Sequence, residues 1–189
     1  MKRAVLIIAF LFLVSCAENN TDIPEKTEKE QSRQAKEDVL LGSFETKILD
    51  ADEKRMENIN LSIDAIDGAI IKKGEEFSFN GIIGARTKEK GYEEATILVG
   101  CEKEKAVGGG ICQVSSTIYN AVKNAGLEIV ERHSHSAPVH YLPQGEDAAI
   151  SFGTLDFKFK NNLDSNIKLA VSTDGKKVYA AVFETEDKK

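Results

Sequence analysis

Apolar positions along the chain fall into three regimes. From Ala4 to Val14 they are unbroken, from Ala17 to Asp38 they nearly vanish, and from Val39 onward they return in short periodic groups. The third regime reads as one folded domain over residues 39–189. Phe44 to Ile48 alternates apolar and polar and predicts a strand. Asp52 stands where it can cap a helix in which Met56, Ile59, Ile63 and Ile66 recur at three- and four-residue spacing, with Gly68 closing it. Ala69 to Ile71, Phe77 to Phe79 and Thr96 to Val99 predict short strands, with turns at Lys73-Gly74 and Asn80-Gly81. A second helix follows Gly108 to Gly110. Val114, Ile118, Ala121, Val122 and Ala125 share one side of it, and Gly126 is its natural stop. Leu127 to Glu131, Ala148 to Phe152 and Phe157 to Lys160 predict strands around a proline-bearing loop from His133 to Gly145. Ile167 to Val171 and Val178 to Phe183 flank Asp174-Gly175, a two-residue hairpin signal. Two helices among many short strands, without βαβ alternation, predict an α+β fold. Its sheet is mainly antiparallel and packs with two helices, the second starting at Cys112.

The first regime is a targeting segment. Lys2 and Arg3 precede an apolar run too short to span a bilayer but suited to a signal peptide. The run ends in Leu13-Val14-Ser15-Cys16, which resembles a bacterial lipobox. Residues 1–15 are therefore expected to be removed and Cys16 lipidated, leaving an exported protein anchored to a bacterial membrane in the cell envelope. The second regime, residues 16–38, is rich in Glu, Lys, Gln, Ser and Thr and buries too little apolar surface to offset ordering. It predicts a flexible charged tether.

Composition narrows the function. Hydrophobic residues at 41% and charged residues at 30% are ordinary for a domain with a real core. A formal net charge of −6 argues against a nucleic-acid partner, which would want the opposite sign. Trp is absent, which speaks against a sugar-stacking platform, and three Cys among 189 residues exclude a disulfide-stapled miniprotein.

The chemistry concentrates at Cys112. It follows a glycine run at a helix entry, where unpaired N–H groups and the helix dipole favour a thiolate. Gly110 and Ile111 belong to the turn whose N–H groups can hold an oxyanion, and Gln113 is a side-chain helper for the same task. A thiolate nucleophile needs a histidine to carry the proton, and His133, His135 and His140 all fall just after the strand that follows the Cys helix. Papain-like cysteine hydrolases reach a similar layout, here only an analogy. Asp147 or Asp156 can orient the imidazole. Three other readings compete. Cys112 can be a buried small hydrophobe, can pair with Cys101 in an oxidising compartment, or can join His133 and His135 on zinc, although no Cys pair at zinc-site spacing supports a metal. The glycine run lacks the Lys-Ser/Thr of a phosphate loop, and no cofactor is expected.

The same segments resemble a known family. Phe77-Ser-Phe-Asn80, Gly84-Ala-Arg-Thr87, Gly91-Tyr92 and the run from Gly109 to Asn120 look like the VanW domain. The likeness continues through Glu131 to Ser136, Pro138-Val139, Tyr141 to Pro143, Gly145, Asp147-Ala148 and Asp156 to Asn162. It covers residues 43–165 in the family's order. The family is named for an accessory gene beside glycopeptide-resistance operons, and some members are described as cysteine-dependent L,D-transpeptidases. The resemblance implies that Cys112 is the nucleophile and His135 the general base and acid, with Asp147 and Asp156 as orienting candidates. It also implies that Arg86 and Arg132 hold carboxylates of peptidoglycan stem peptides. His140 matches no family position and receives no role. The expectation is an envelope cysteine acyl transferase acting on those peptides. The rival expectations are a papain-like peptidoglycan endopeptidase and a non-catalytic peptidoglycan- or glycopeptide-binding lipoprotein.

Overall fold

The computed structural model describes residues 38–99 and 102–186. The signal run, Cys16, the tether up to residue 37 and Cys101 lie outside the described residues. In chain order the elements are β1 (Val39–Lys47), α1 (Glu53–Ile66), β2 (Ile70–Ile71), β3 (Glu76–Ser78), α2 (Phe79–Ile83), β4 (Glu94–Val99), β5 (Glu102–Val107), α3 (Ile111–Asn124), β6 (Glu128–Glu131), β7 (Lys158–Lys160), β8 (Asn166–Thr173) and β9 (Lys177–Thr185). The fold is α+β, as the pattern predicts. All pairings between these strands are antiparallel. They form a four-stranded sheet in the order β1-β9-β8-β2, a three-stranded sheet β3-β7-β6 and the hairpin β4-β5.

The core lies between the four-stranded sheet and the two long helices. Alternation puts Ile167, Leu169 and Val171 of β8 and Val178, Ala180 and Val182 of β9 on the inner face. Ile59, Ile63 and Ile66 of α1 and Val114, Ile118 and Val122 of α3 meet them. Under α3, Phe77 stacks on Phe159 with ring centres 4.8 Å apart, and Tyr119 meets Phe157 edge-on at 5.8 Å. α1 starts where Asp52 accepts from the Arg55 N–H, as its spacing predicts.

Two local expectations give way to tertiary contacts, and one strand forms where the sequence pattern assigns none. Phe79 begins α2 instead of ending a strand, because the Ser78 hydroxyl accepts from the Gly81 N–H at 2.8 Å and turns the chain into a helix. Residues 102–105, a charged run without apolar alternation, form part of β5 through backbone pairing with β4. Ala148 to Phe152 is not a strand. Its backbone is held by single bridges, His133 with Ala149 and Ser151 with Leu155, and by side chains of α3.

Asn58 ties these parts together behind the Cys112 loop. Fully buried on α1, it donates to the Glu93 and Gly109 carbonyls at 3.0 Å each and accepts from the Glu93 N–H at 2.8 Å. Asn58→Ala strands those backbone groups and is expected to cost about 2–4 kcal/mol, read by urea denaturation. A loss below about 0.5 kcal/mol would show that the loop is held by other contacts.

Candidate active site

α3 begins in a tightly enclosed place. A side chain at Gly109 would put its Cβ 2.7 Å from the backbone of Ala95 on β4. At Gly110, where φ is +107°, a Cβ would lie 2.9 Å from Arg55 Cγ on α1. The glycines thus let the chain thread between β4 and α1 and turn straight into the helix. The Ile111 N–H donates to Gly108 O at 3.3 Å, whereas the N–H groups of Gly110 and Cys112 meet no acceptor among the described residues. Gly110 and Cys112, more than Ile111, are the free donors for an oxyanion next to the thiol.

Cys112 is a free thiol. Its Sγ lies 3.6 Å from the Ile150 carbonyl, and the thiol is electrostatically coupled to the His135 imidazole. His135 Nδ1 lies 2.6 Å from Asp147 Oδ2, and the His135 N–H donates to the same oxygen at 2.6 Å. With Nδ1 engaged, Nε2 is the ring nitrogen left for the thiol. Arg132 Nη2 donates to the other carboxylate oxygen, Oδ1, at 3.1 Å. His135, Asp147 and Arg132 therefore form a continuous hydrogen-bonded chain, to which Cys112 is coupled through its effect on His135.

The helix that carries Cys112 also holds Asp147 in place. The Ser115 hydroxyl donates to Ala148 O at 2.6 Å, and the Ser116 hydroxyl accepts from the Ala148 N–H at 2.9 Å. Asn120 donates to Glu146 O at 2.7 Å. These bonds bracket Asp147 on both sides and fix it to the face of α3 that bears Cys112. None of the three residues is singled out by the sequence reading. The recurrence of Cys112, Ser116 and Asn120 at four-residue spacing is the signal that places them on one stripe.

Electrostatics follow from that geometry. Burial works against the Cys112 thiolate, but the hydrogen bond and charge of His135, together with the Arg86 charge, bring the thiol below its ordinary value. Burial likewise works against the imidazolium, yet Cys112 and then Asp147 raise His135 above its usual value. Asp147 is opposed by burial and held below the usual carboxylate range by hydrogen bonds from His135. Each shift favours the charged form of its group, the thiolate of Cys112 and the imidazolium of His135. Tyr141, from the proline-bearing loop, is a further neighbour that sequence reasoning leaves without a role. Burial pushes its hydroxyl far up, and the Cys112 charge adds to the shift.

The other site candidates divide. Asp156 does not orient His135. Its Oδ2 accepts from the Ser78 hydroxyl at 2.6 Å, and its Oδ1 from the N–H groups of Asn80 and Phe157 at 2.9 and 2.8 Å, so it anchors α2. Arg132 is engaged internally, donating to Asp147 O, Gly145 O and Asp147 Oδ1. It braces the acid rather than standing free for a substrate. Gln113 is buried, accepting from Arg55 at 3.0 Å and donating to the Thr46 hydroxyl and Lys47 O, which leaves no amide hydrogen for an oxyanion. Arg86 donates to Asn80 Oδ1 at 2.6 Å while its Nη2 is buried without a partner. His133 turns to Glu131, 3.0 Å away, and His140 is exposed. Among the described residues no group of three His, Cys, Asp or Glu is arranged to hold a metal ion.

A family model described as VanW like protein matches residues 54–183, from α1 to β9. The chain belongs to the VanW family. Two relatives agree. An uncharacterized protein of Bacillus subtilis, YoaR, is 42% identical over 146 residues, covering 77% of this chain and 48% of its own length. The vancomycin B-type resistance protein VanW of Enterococcus faecalis is 29% identical over 136 residues, covering 69% of this chain and 50% of its own length. The chain thus spans about half the length of these VanW relatives. No solved structure matches it significantly.

The VanW relay predicts an unusual thiol titration. Cys112 is shifted down and His135 up, so each supports the charged form of the other. Iodoacetamide alkylation of Cys112 is expected to hold its rate to lower pH than an ordinary thiol near 8.5, which slows about tenfold per unit below that value. An ordinary thiol profile would show that no ion pair forms.

Proposed function

We propose that this VanW-family chain is a cysteine acyl transferase of the cell envelope, acting on peptidoglycan stem peptides and tethered through lipid on Cys16. The carrying observation is the relay of Cys112, His135 and Asp147 at a helix entry with unpaired N–H groups. The vancomycin-resistance name of the enterococcal relative supports a cell-wall substrate. Cys112 Sγ attacks the carbonyl carbon of the third stem residue, and the oxyanion forms against the N–H groups of Cys112 and Gly110. Collapse breaks the amide bond, and the His135 imidazolium gives its proton to the leaving amine. The thioester is then attacked by an amine of a neighbouring stem, whose proton returns to His135, or by water.

The test is incubation of the full chain with disaccharide tetrapeptide, followed by mass spectrometry. Loss of the terminal residue with a new cross-linked dimer is the expected result. Shortened stems without dimer would replace transfer by hydrolysis. Intact substrate would overturn the reading in favour of a binding lipoprotein.

A further inference from the structure

We propose that the outer face of the four-stranded sheet, at the end where β1 begins, is a lipid-contact surface lying on the bilayer that holds the lipid of Cys16. The inference rests on that anchor and not on acyl transfer.

Strand register gathers exposed apolar side chains of this sheet into one row. Leu40 of β1 stands opposite Phe183 of β9, Phe183 opposite Lys168 of β8, and Lys168 opposite Ile70 of β2. Directly opposed residues share a face, so the row crosses all four strands over about 15 Å. It lies on the outer face, because the adjacent residues Ile71, Ile167, Leu169 and Val182 are buried in the core. Leu40 is 54% exposed and Ile70 48%, and Val39 at the strand start is exposed as well. Single exposed apolar residues are ordinary, whereas a row of them marks a contact surface. Ser43, Ala181 and Ala170, all small, make the next row, and charge returns beyond it, where Glu45 pairs with Lys177. Two ion pairs flank the apolar end, Lys168 with Asp38 and Lys73 with Asp164. Lys168 also lies 5.6 Å from the centre of the Phe183 ring. The surface therefore offers apolar area rather than a strong field.

Where the chain enters the sheet says what covers this end. Asp38 follows Cys16 by 22 residues and leads directly into β1. Read as the tether that its composition predicts, that segment has a root-mean-square reach of about 25 Å, less than the ~40 Å breadth of a 150-residue domain. Lipid on Cys16 thus keeps the start of β1 close to the bilayer, at an effective concentration where even a weak apolar contact is occupied. Leu40, Ile70 and Phe183 suit the boundary between headgroups and acyl chains, into which apolar faces sink about 5–10 Å.

Such a contact also orients the site. α3 runs beside β1 in the opposite sense. Near its end Asn124 donates to Ser43 O at 2.9 Å, and near its start Gln113 donates to Lys47 O at 2.9 Å. With Leu40 at the bilayer, Cys112 stands about 20 Å farther out, at the end turned away from the lipid.

No Trp occurs in the chain, so one introduced Trp is a clean reporter. The chain, with lipid at Cys16 verified by mass spectrometry, carries either Leu40→Trp or Leu49→Trp and is reconstituted into phosphatidylcholine vesicles with brominated acyl chains. Leu49 is 63% exposed and lies past the far end of β1, about 25 Å from Leu40. Bromine is expected to quench the Trp at 40 at least about twofold more than the Trp at 49. Ile70→Glu is expected to bring the Leu40→Trp chain down to the level seen at 49, and about 0.5 M salt to leave its quenching unchanged. Equal quenching at the two positions, or none, overturns the contact, as does quenching that salt removes or that survives Ile70→Glu. A Trp spectrum that shifts to the blue with protein density but escapes bromine assigns the face to a second copy and overturns it too. The comparison of 40 with 49 is decisive with Ile70 intact, even where Ile70→Glu fails to fold. Absence of lipid at Cys16 overturns the anchor and the contact together, whereas lipid without preferential quenching overturns the contact alone.

Discussion

Alanine at position 112 is expected to lower stem-peptide turnover by about 10⁵-fold or more while leaving the fold in place. The rate falls because no other nucleophile stands on the relay. Ser115 and Ser116 have their hydroxyls engaged with the Ala148 backbone and the Cys112 carbonyl. Stability changes little because alanine keeps the helix backbone and Cβ and removes one sulfur atom, whose hydrogen bond to the Ile150 carbonyl spans 3.6 Å. The Cys112 carbonyl, which accepts from Ser116 at 2.7 Å, is unchanged by the substitution. Thermal unfolding is expected to move by less than about 3 °C. A second readout follows from the charges. Cys112 is the largest of the partners that raise His135, so its removal should lower the imidazole pKa, measurable from the ring resonances by NMR. Cys112→Ala with undiminished turnover would end the nucleophile assignment. An unchanged His135 titration would show that the ion pair is absent.

How much of this could be read from the chain depends on the range of the interaction. α1 and α3 are legible because their apolar spacing and caps are local: Asp52 at one start, glycines at the other. The Asp174-Gly175 hairpin is local too, and β8 and β9 pair around it. The thiol and its histidine are legible as residue types at a helix entry and a following strand edge. The choice between Asp147 and Asp156 is not, because both are buried acids in similar motifs. Only the tie of Ala148 to Ser115 and Ser116 brings one of them to His135. The same holds for Arg132 and Gln113, whose polar ends look free in sequence and are consumed by partners far along the chain. Ala148 to Phe152 misleads for a related reason. Ala148 and Ala149 are buried while Phe152 is exposed, and the backbone bonds go mostly to side chains and a tight turn, which a strand pattern cannot anticipate.

Asp147→Asn is expected to reduce turnover about 10³–10⁴-fold while Cys112 and His135 remain in place. The carboxylate oxygen at 2.6 Å from Nδ1 accepts a hydrogen bond from Nδ1–H, which leaves Nε2 as the basic nitrogen. An amide can turn its NH₂ toward Nδ1, favouring the wrong tautomer and removing the charge that supports the imidazolium. His135 then titrates lower and Cys112 higher, so the alkylation profile should move to higher pH. The fold also weakens, since Arg132 and the His135 N–H both lose an ionised acceptor inside a site where Asp147 is almost fully buried. About 2–3 kcal/mol at pH 7 is the expected cost. The sign of its pH dependence is fixed by the depressed value of Asp147 in the folded chain. Its contribution is complete above the ordinary aspartate value of about 3.9 and is lost as pH falls through the lower folded value. Melting curves of the two chains should therefore differ at pH 7 and converge on acidification, because a protonated Asp147 resembles the amide. A gap that stays constant down to pH 2 would place the lost stability in shape rather than charge. Turnover retained by Asp147→Asn would show that His135 needs no orienting carboxylate.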